Sequence, residues 1–145
     1  MATTRTAETV FVYGTLTDPD RVEAVLRSVP NAEYELGSTA VLEGLHRVEG
    51  EYPTLAPGDR IEGRLLSVDE RGLEALDRYE GVDRGLYERI PVSREDPDAE
   101  GVWVYVGDPD RLGVAERVDW PDGSSLEDRI RTYVSNRDVV IRTSE

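Results

Sequence analysis

RIEGRLLSVDERGLEALDRYEG, residues 60–81, carries an apolar strand pattern straight into a helical one, and the glycine inside its first half decides the fold. Residues 60–68 read as a strand interrupted by Gly63. Glycine inside a strand marks a bend, a bulge or a close backbone approach. STAVLEGL (38–45) shows the same interruption at Gly44, and EYPTLAP (51–57) adds a further apolar strand. The interleaved glycines point to strands bending toward a barrel. The second half, from about Asp69 to Glu80, has helical periodicity and runs up to Gly81, after which LYERIPV (86–92) and GVWVYVG (101–107) supply two more strands. Upstream, TVFVY (9–13) is a β-branched and aromatic run suited to burial on both faces. DPDRVEAVLRSV (18–29) follows as a helix, with Asp18 as cap, Pro19 in the first turn and Val22, Val25, Leu26 and Val29 on one face. Near the carboxyl end, SSLEDRIRTYV (124–134) starts a helix with Ser-x-x-Asp at Ser125 and lines up Leu126, Ile130, Tyr133 and Val134. Neither an internal repeat nor a long linker is present. A single α+β domain spanning residues 1–145 is predicted.

Composition removes several function classes. Cysteine is absent and His46 is the sole histidine, so a thiolate or imidazole metal cluster is unavailable, and with His46 read as structural no Ser-His-Asp arrangement can be argued without another histidine. His46, beside Arg47 and Glu49, reads as a structural residue. Asp and Glu total 31 against 17 basic residues, all of them arginine, for a formal charge of -14. A surface of that sign argues against nucleic acid or anionic membrane as a partner. Acid-rich, lysine-free composition fits a salt-loaded, halophilic cytoplasm; an acidic protein from an arginine-biased genome is the alternative. TDPD (17–20), SREDPDAE (93–100) and GDPDR (107–111) are acidic, yet each contains proline and lacks the spacing of a calcium loop, so solvated turns are expected. The polar start MATTRTAET lacks a signal-peptide core, and no apolar run approaches the ~20 residues that span a bilayer. A soluble, cytoplasmic protein is the expectation.

Two carboxylates break the pattern of the 69–80 helix. On a wheel of about 100° per residue, Glu80 lies within roughly 20° of Leu73 and so projects from the buried face. It also ends the helix, where the negative pole of the macrodipole opposes its charge. Desolvation and dipole would both raise its pKa toward the range of general acid and base chemistry. A helix that frays before Tyr79 and leaves Glu80 in water is the alternative. Asp77, about 40° from Leu73 on the same wheel, is expected to pair with an arginine, Arg89 among the candidates.

VFVYGTL (10–16), EYPTLAPG (51–58), GRLLSV (63–68), LEALDRYEGVDRGLYERIPV (73–92) and VWVYVG (102–107) stand in an order that resembles the γ-glutamylcyclotransferase-like family, which includes AIG2-like and γ-glutamylamine cyclotransferases. The resemblance covers about residues 10–107, leaving 108–145 divergent. It implies a small closed mixed β-barrel with flanking helices. It also implies a pocket lined by the turn of Tyr13, Gly14, Thr15 and Leu16, whose N–H groups bind substrate oxygens, with Gly14 bare so that a ligand can approach. Glu80 falls on the family's catalytic carboxylate. The implied reaction is cyclisation of a small γ-glutamyl substrate to 5-oxoproline with release of an amine or amino acid, requiring neither metal nor organic cofactor. Tyr87 and Tyr105 match tyrosines bordering that pocket, Tyr52 and Pro53 match a Tyr-Pro step beside it, and Arg89 is implied as a structural partner of a buried carboxylate. A non-catalytic small-molecule-binding domain using the same pocket is the alternative, disfavoured by the presence of Glu80, since a binder needs no proton shuttle. An interaction protein is the third reading, without an apolar patch in the sequence to support it. Oligomeric state is not legible.

Overall fold

A computed structural model describes residues 8–27, 29, 34–49, 53–95, 101–118, 120, 122–136 and 139–143. Among the described residues six strands form a closed barrel: β1 (Glu8–Val12), β2 (Tyr34–Val48), β3 (Thr54–Val68), β4 (Tyr87–Arg94), β5 (Val102–Gly107) and β6 (Val140–Thr143). Around the barrel the order is β1-β3-β2-β6-β4-β5, closing from β5 back to β1. The β1–β5 and β4–β6 pairs are parallel and the other four antiparallel. The described residues include three flanking α-helices: α1 (Pro19–Leu26), α2 (Glu70–Glu80) and α3 (Leu126–Asn136).

The glycines act as expected for a barrel, each by a different physical route. At Gly63 a Cβ would run into the carbonyl oxygen of Val12 and come within 2.7 Å of the Phe11 ring, so the end of β1 packs against β3 there only because that side chain is missing. Gly44 has φ +97 and sits where the β2–β3 register shifts between Glu43 and Leu45. Opposite it, Gly58 and Asp59 adopt φ +105 and +56. Those two residues were expected to separate two strands, 51–57 and 60–68. Instead they form a bulge inside one long β3, because β2 continues alongside and supplies partners on both sides, Pro57 facing Leu45 and Arg60 facing Glu43. Tyr133 of α3 ties both halves of the irregularity: its hydroxyl donates to the Gly44 carbonyl at 2.8 Å and accepts from the Gly58 N–H at 3.1 Å.

The core fills the barrel and the seams under the helices. Phe11, Leu42, Ile90 and Val104 share one face of the sheet and are fully buried, as is Leu66 on the other face, and each such side chain contributes about 1.5–3 kcal/mol relative to an exposed one. Val22 and Leu26 seat α1, Leu73 and Leu76 seat α2, and Ile130 seats α3. Sequence capping signals hold: the Asp18 carboxylate accepts from Asp20 N at 3.0 Å, and Asp128 N donates to the Ser125 hydroxyl at 3.1 Å. The divergent carboxyl-terminal segment is structural, since β6, unforeseen in the sequence, fills the gap between β2 and β4.

Candidate active site

The ends of β1 and α2 meet at one mouth of the barrel. Strand β1 stops at Val12, and Thr15–Thr17 turns in a 3₁₀ conformation, fixed by Thr17 N and Oγ1 donating to the Gly14 carbonyl at 3.1 and 2.7 Å. Arg47 of β2 anchors the turn's entry by donating from Nη1 to the Tyr13 carbonyl at 3.0 Å. With carbonyls so occupied, the N–H groups of Gly14, Thr15 and Leu16 have no acceptor among the described residues. Gly14 does not use a left-handed conformation. Its constraint is space, because a Cβ there would meet Pro53 Cγ at 3.3 Å.

Helix α2 starts with the Asp69 carboxylate accepting from Gly72 N at 2.8 Å and ends at Gly81, whose φ of +76 terminates it in the left-handed manner. Glu80 is therefore the last helical residue, and the helix does not fray before it. Glu80 lines a cavity of 460 Å³ that also reaches Tyr13, Gly14, Leu16, Tyr87 and Tyr105. Burial pushes the Glu80 carboxyl up to about 7. Desolvation by burial is the cause.

Hydrogen bonds fix the surrounding tyrosines. Tyr13 donates its hydroxyl to the Tyr105 carbonyl at 2.5 Å, Tyr87 to the Pro53 carbonyl at 2.6 Å, and Tyr105 to Asp77 Oδ1 at 2.7 Å. Burial raises the Tyr13 phenol well above its usual range, with the charges of Tyr87 and Glu80 adding to the effect. Tyr105 is raised likewise, by burial first and then by its bond to Asp77. Both phenols stay protonated at neutral pH, and among the described residues Glu80 is the carboxylic acid that lines the cavity. Asp77 pairs with Arg89, Oδ1 to Nε at 3.5 Å, and the Arg89 guanidinium lies 4.4 Å from the Trp103 ring centroid.

The structure thus brings six of the expected site residues to one cavity: Glu80, Tyr13, Gly14, Leu16, Tyr87 and Tyr105. Thr15 contributes the backbone of the turn. Tyr52 lies outside the described residues, while Pro53 beside it lines the cavity. His46 faces elsewhere, with Nδ1 3.2 Å from the Gly58 carbonyl oxygen. Arg21, Arg84 and Leu86 also line the cavity and were missed. Leu86 had a usable signal, since it directly precedes the β4 tyrosine. The two arginines had none, because an arginine on an exposed face is ordinary. Among the described residues no cluster of histidine, aspartate and glutamate could hold a metal ion, and no helix is long and apolar enough to cross a membrane.

A family model described as gamma-glutamyl cyclotransferase, AIG2-like, matches residues 10–123. That match runs past Gly107, where the sequence motifs fade. AIG2-like protein D of Arabidopsis thaliana is 31% identical over 134 residues, covering 83% of each chain. A solution structure of an Arabidopsis thaliana protein is 34% identical, with a TM-score of 0.52 over 72% of this chain and 73% of that one. A structure named gamma-glutamyl cyclotransferase shares the fold at 15% identity, with a TM-score of 0.55 over 90% of this chain and 100% of the other. The motifs, the closed barrel and the matching model agree: this chain belongs to the AIG2-like gamma-glutamyl cyclotransferase family.

Proposed function

We propose that the protein is a γ-glutamyl cyclotransferase in which Glu80 is the general acid and base. One observation carries this reading: a carboxyl desolvated to about pKa 7 shares a small open cavity with a turn whose N–H groups are unused by the described residues. The substrate's own α-amine attacks its γ-carbonyl carbon, so no enzyme nucleophile is needed. Glu80 removes a proton from the attacking nitrogen. The new C–N bond closes the five-membered lactam, the original amide C–N bond breaks, and Glu80 returns the proton to the leaving nitrogen. The products are 5-oxoproline and a free amine or amino acid, with atoms and charge balanced. The Gly14–Leu16 N–H groups are suited to hold the α-carboxylate or the developing oxyanion, and the fixed tyrosines to keep the glutamyl chain curled.

The test is release of 5-oxoproline from a panel of γ-glutamyl amines and dipeptides by the parent and by Glu80→Gln. Glutamine retains the shape but cannot shuttle a proton, so turnover should fall by about 10²–10⁴-fold while ligand binding persists. Exposed Glu74, one and a half turns earlier on α2, supplies the control: Glu74→Gln should leave turnover unchanged. Parental rates in Glu80→Gln would remove the mechanism. A parent that binds γ-glutamyl compounds without converting any of them would instead be a binding domain.

A further inference from the structure

The cavity's charge is opposite to that of the chain. Acids outnumber bases 31 to 17 overall, yet among the described residues the cavity wall holds two arginines, Arg21 and Arg84, against one acid, Glu80. Both arginines are exposed, which puts them at the rim, whereas Tyr13, Leu16, Tyr87 and Tyr105 are buried at its floor. They arrive from separate elements, Arg21 from α1 and Arg84 from the 3₁₀ turn Val82–Arg84 beyond α2, so their convergence is a product of the fold. Neither has an ion pair or side-chain hydrogen bond with a described residue. Nor are they counter-ions for Glu80, whose raised pKa reflects burial without an opposing pull from a nearby cation.

We propose that Arg21 and Arg84 read a carboxylate on the leaving part of the substrate, so that the compounds cyclised are γ-glutamyl amino acids or peptides rather than γ-glutamyl derivatives of plain amines. This rests on the cyclotransferase reading of the same cavity. With the glutamyl amine at Glu80 and its carboxylate at the 13–16 turn, what extends toward the rim is the group that departs. A guanidinium offers a rigid fork of donors matched to a carboxylate, and its bidentate bonds survive screening better than a bare charge would.

Equilibrium binding to Glu80→Gln tests this without turnover. The ligands are γ-glutamylalanine and its carboxyl-terminal amide, identical but for the distal charge. Expected is at least about tenfold tighter binding of the acid, in the range of charge-assisted hydrogen bonds, and a ratio within about twofold of one after Arg21→Gln and Arg84→Gln are added. Both side chains are exposed, so these variants should fold normally, as a melting curve will verify. A ratio near one before the arginines are replaced, a ratio they do not change, or no binding of either ligand would overturn the proposal. Equal weakening of both ligands would also overturn it, by placing the arginines on the glutamyl α-carboxylate. Failure of the parent to release 5-oxoproline from either compound would count against the cyclotransferase reading alone, because the ratio of dissociation constants is obtained separately.

Discussion

If Glu80 is the general base proposed above, it ties activity and stability to the same proton. Its folded pKa of about 7 lies above the ordinary carboxyl value of 4.5, so the native state holds the proton more tightly than the unfolded chain does. Stability therefore falls as pH rises between those values, by up to about 3 kcal/mol for a shift of this size. Glu80→Gln removes that penalty: the variant should exceed the parent in stability at pH 8 by a margin that disappears below pH 4.5, as paired denaturant titrations will reveal. In the proposed mechanism activity has the opposite sign, since Glu80 as base must be ionised to accept the amine proton. The parent's kcat/KM should decline below about pH 7, and a flat profile down to pH 5 would exclude Glu80 as the base. Gly14 is the complementary case, limited by space. Gly14→Val would press on Pro53 and crowd the N–H groups of the turn, so affinity for 5-oxoproline should drop far more than stability. Unaltered affinity in a folded variant would mean the glycine serves only the turn. Glu80 was legible because helical period alone aims it inward. The pairing of Arg21 with Arg84 was not, because 63 residues separate them and only the tertiary packing of α1 near α2 brings both to one cavity.

Among the elements, α2 carries the site, and Asp77 holds it in place. One turn before Glu80, the Asp77 carboxylate accepts from Tyr105 of β5 and pairs with Arg89 of β4, joining the helix to two barrel strands. Arg89 is already short of partners, as its buried Nη1 has no hydrogen bond among the described residues. Asp77→Asn would leave that guanidinium uncompensated and half-buried, so a loss of about 1.5–3 kcal/mol is expected by chemical denaturation. A change below 0.5 kcal/mol, the ordinary surface value of roughly that size, would mean the pair is incidental. The Asp77–Arg89 partnership was within reach of the sequence because one carboxylate shared a face with leucines and needed a cation. The length of β3 was not. Pro57, Gly58 and Asp59 carry the chemistry of a turn, and only the neighbouring β2 strand converts them into a bulge within continuous pairing. Likewise β6 is four residues long, too short for its own periodicity, and its place is set by partners some hundred and some fifty positions upstream in β2 and β4.

Across the whole molecule, barrel closure and surface charge make opposing demands. Closure by two parallel and four antiparallel pairs depends on contacts distant in sequence, which local pattern implies only through the glycine bends. It also packs the chain into a small volume while its formal charge is -14. The ion pairs visible on the surface offset little of this. Arg27–Glu23 at 3.3 Å, for example, joins side chains that are 74% and 57% exposed, and such pairs are worth at most about 1 kcal/mol. The uncompensated acids repel one another across the surface over a Debye length of about 10 Å at 0.1 M salt, which contracts to about 3 Å at 1 M. Raising salt weakens the few attractive pairs too, but with a large acidic excess the relief of repulsion outweighs that loss. If the lysine-free, acidic composition is an adaptation to a salt-loaded cytoplasm, we expect the melting temperature to climb steeply from low salt to molar KCl. A gain of only 2 kcal/mol would move it by about 4–8 °C in a chain of this size. An uncharged osmolyte at matched concentration separates screening from general exclusion of solute from the surface. A melting temperature that stays level in KCl, or rises equally in the osmolyte, would show that the acidic surface is not maintained for salt.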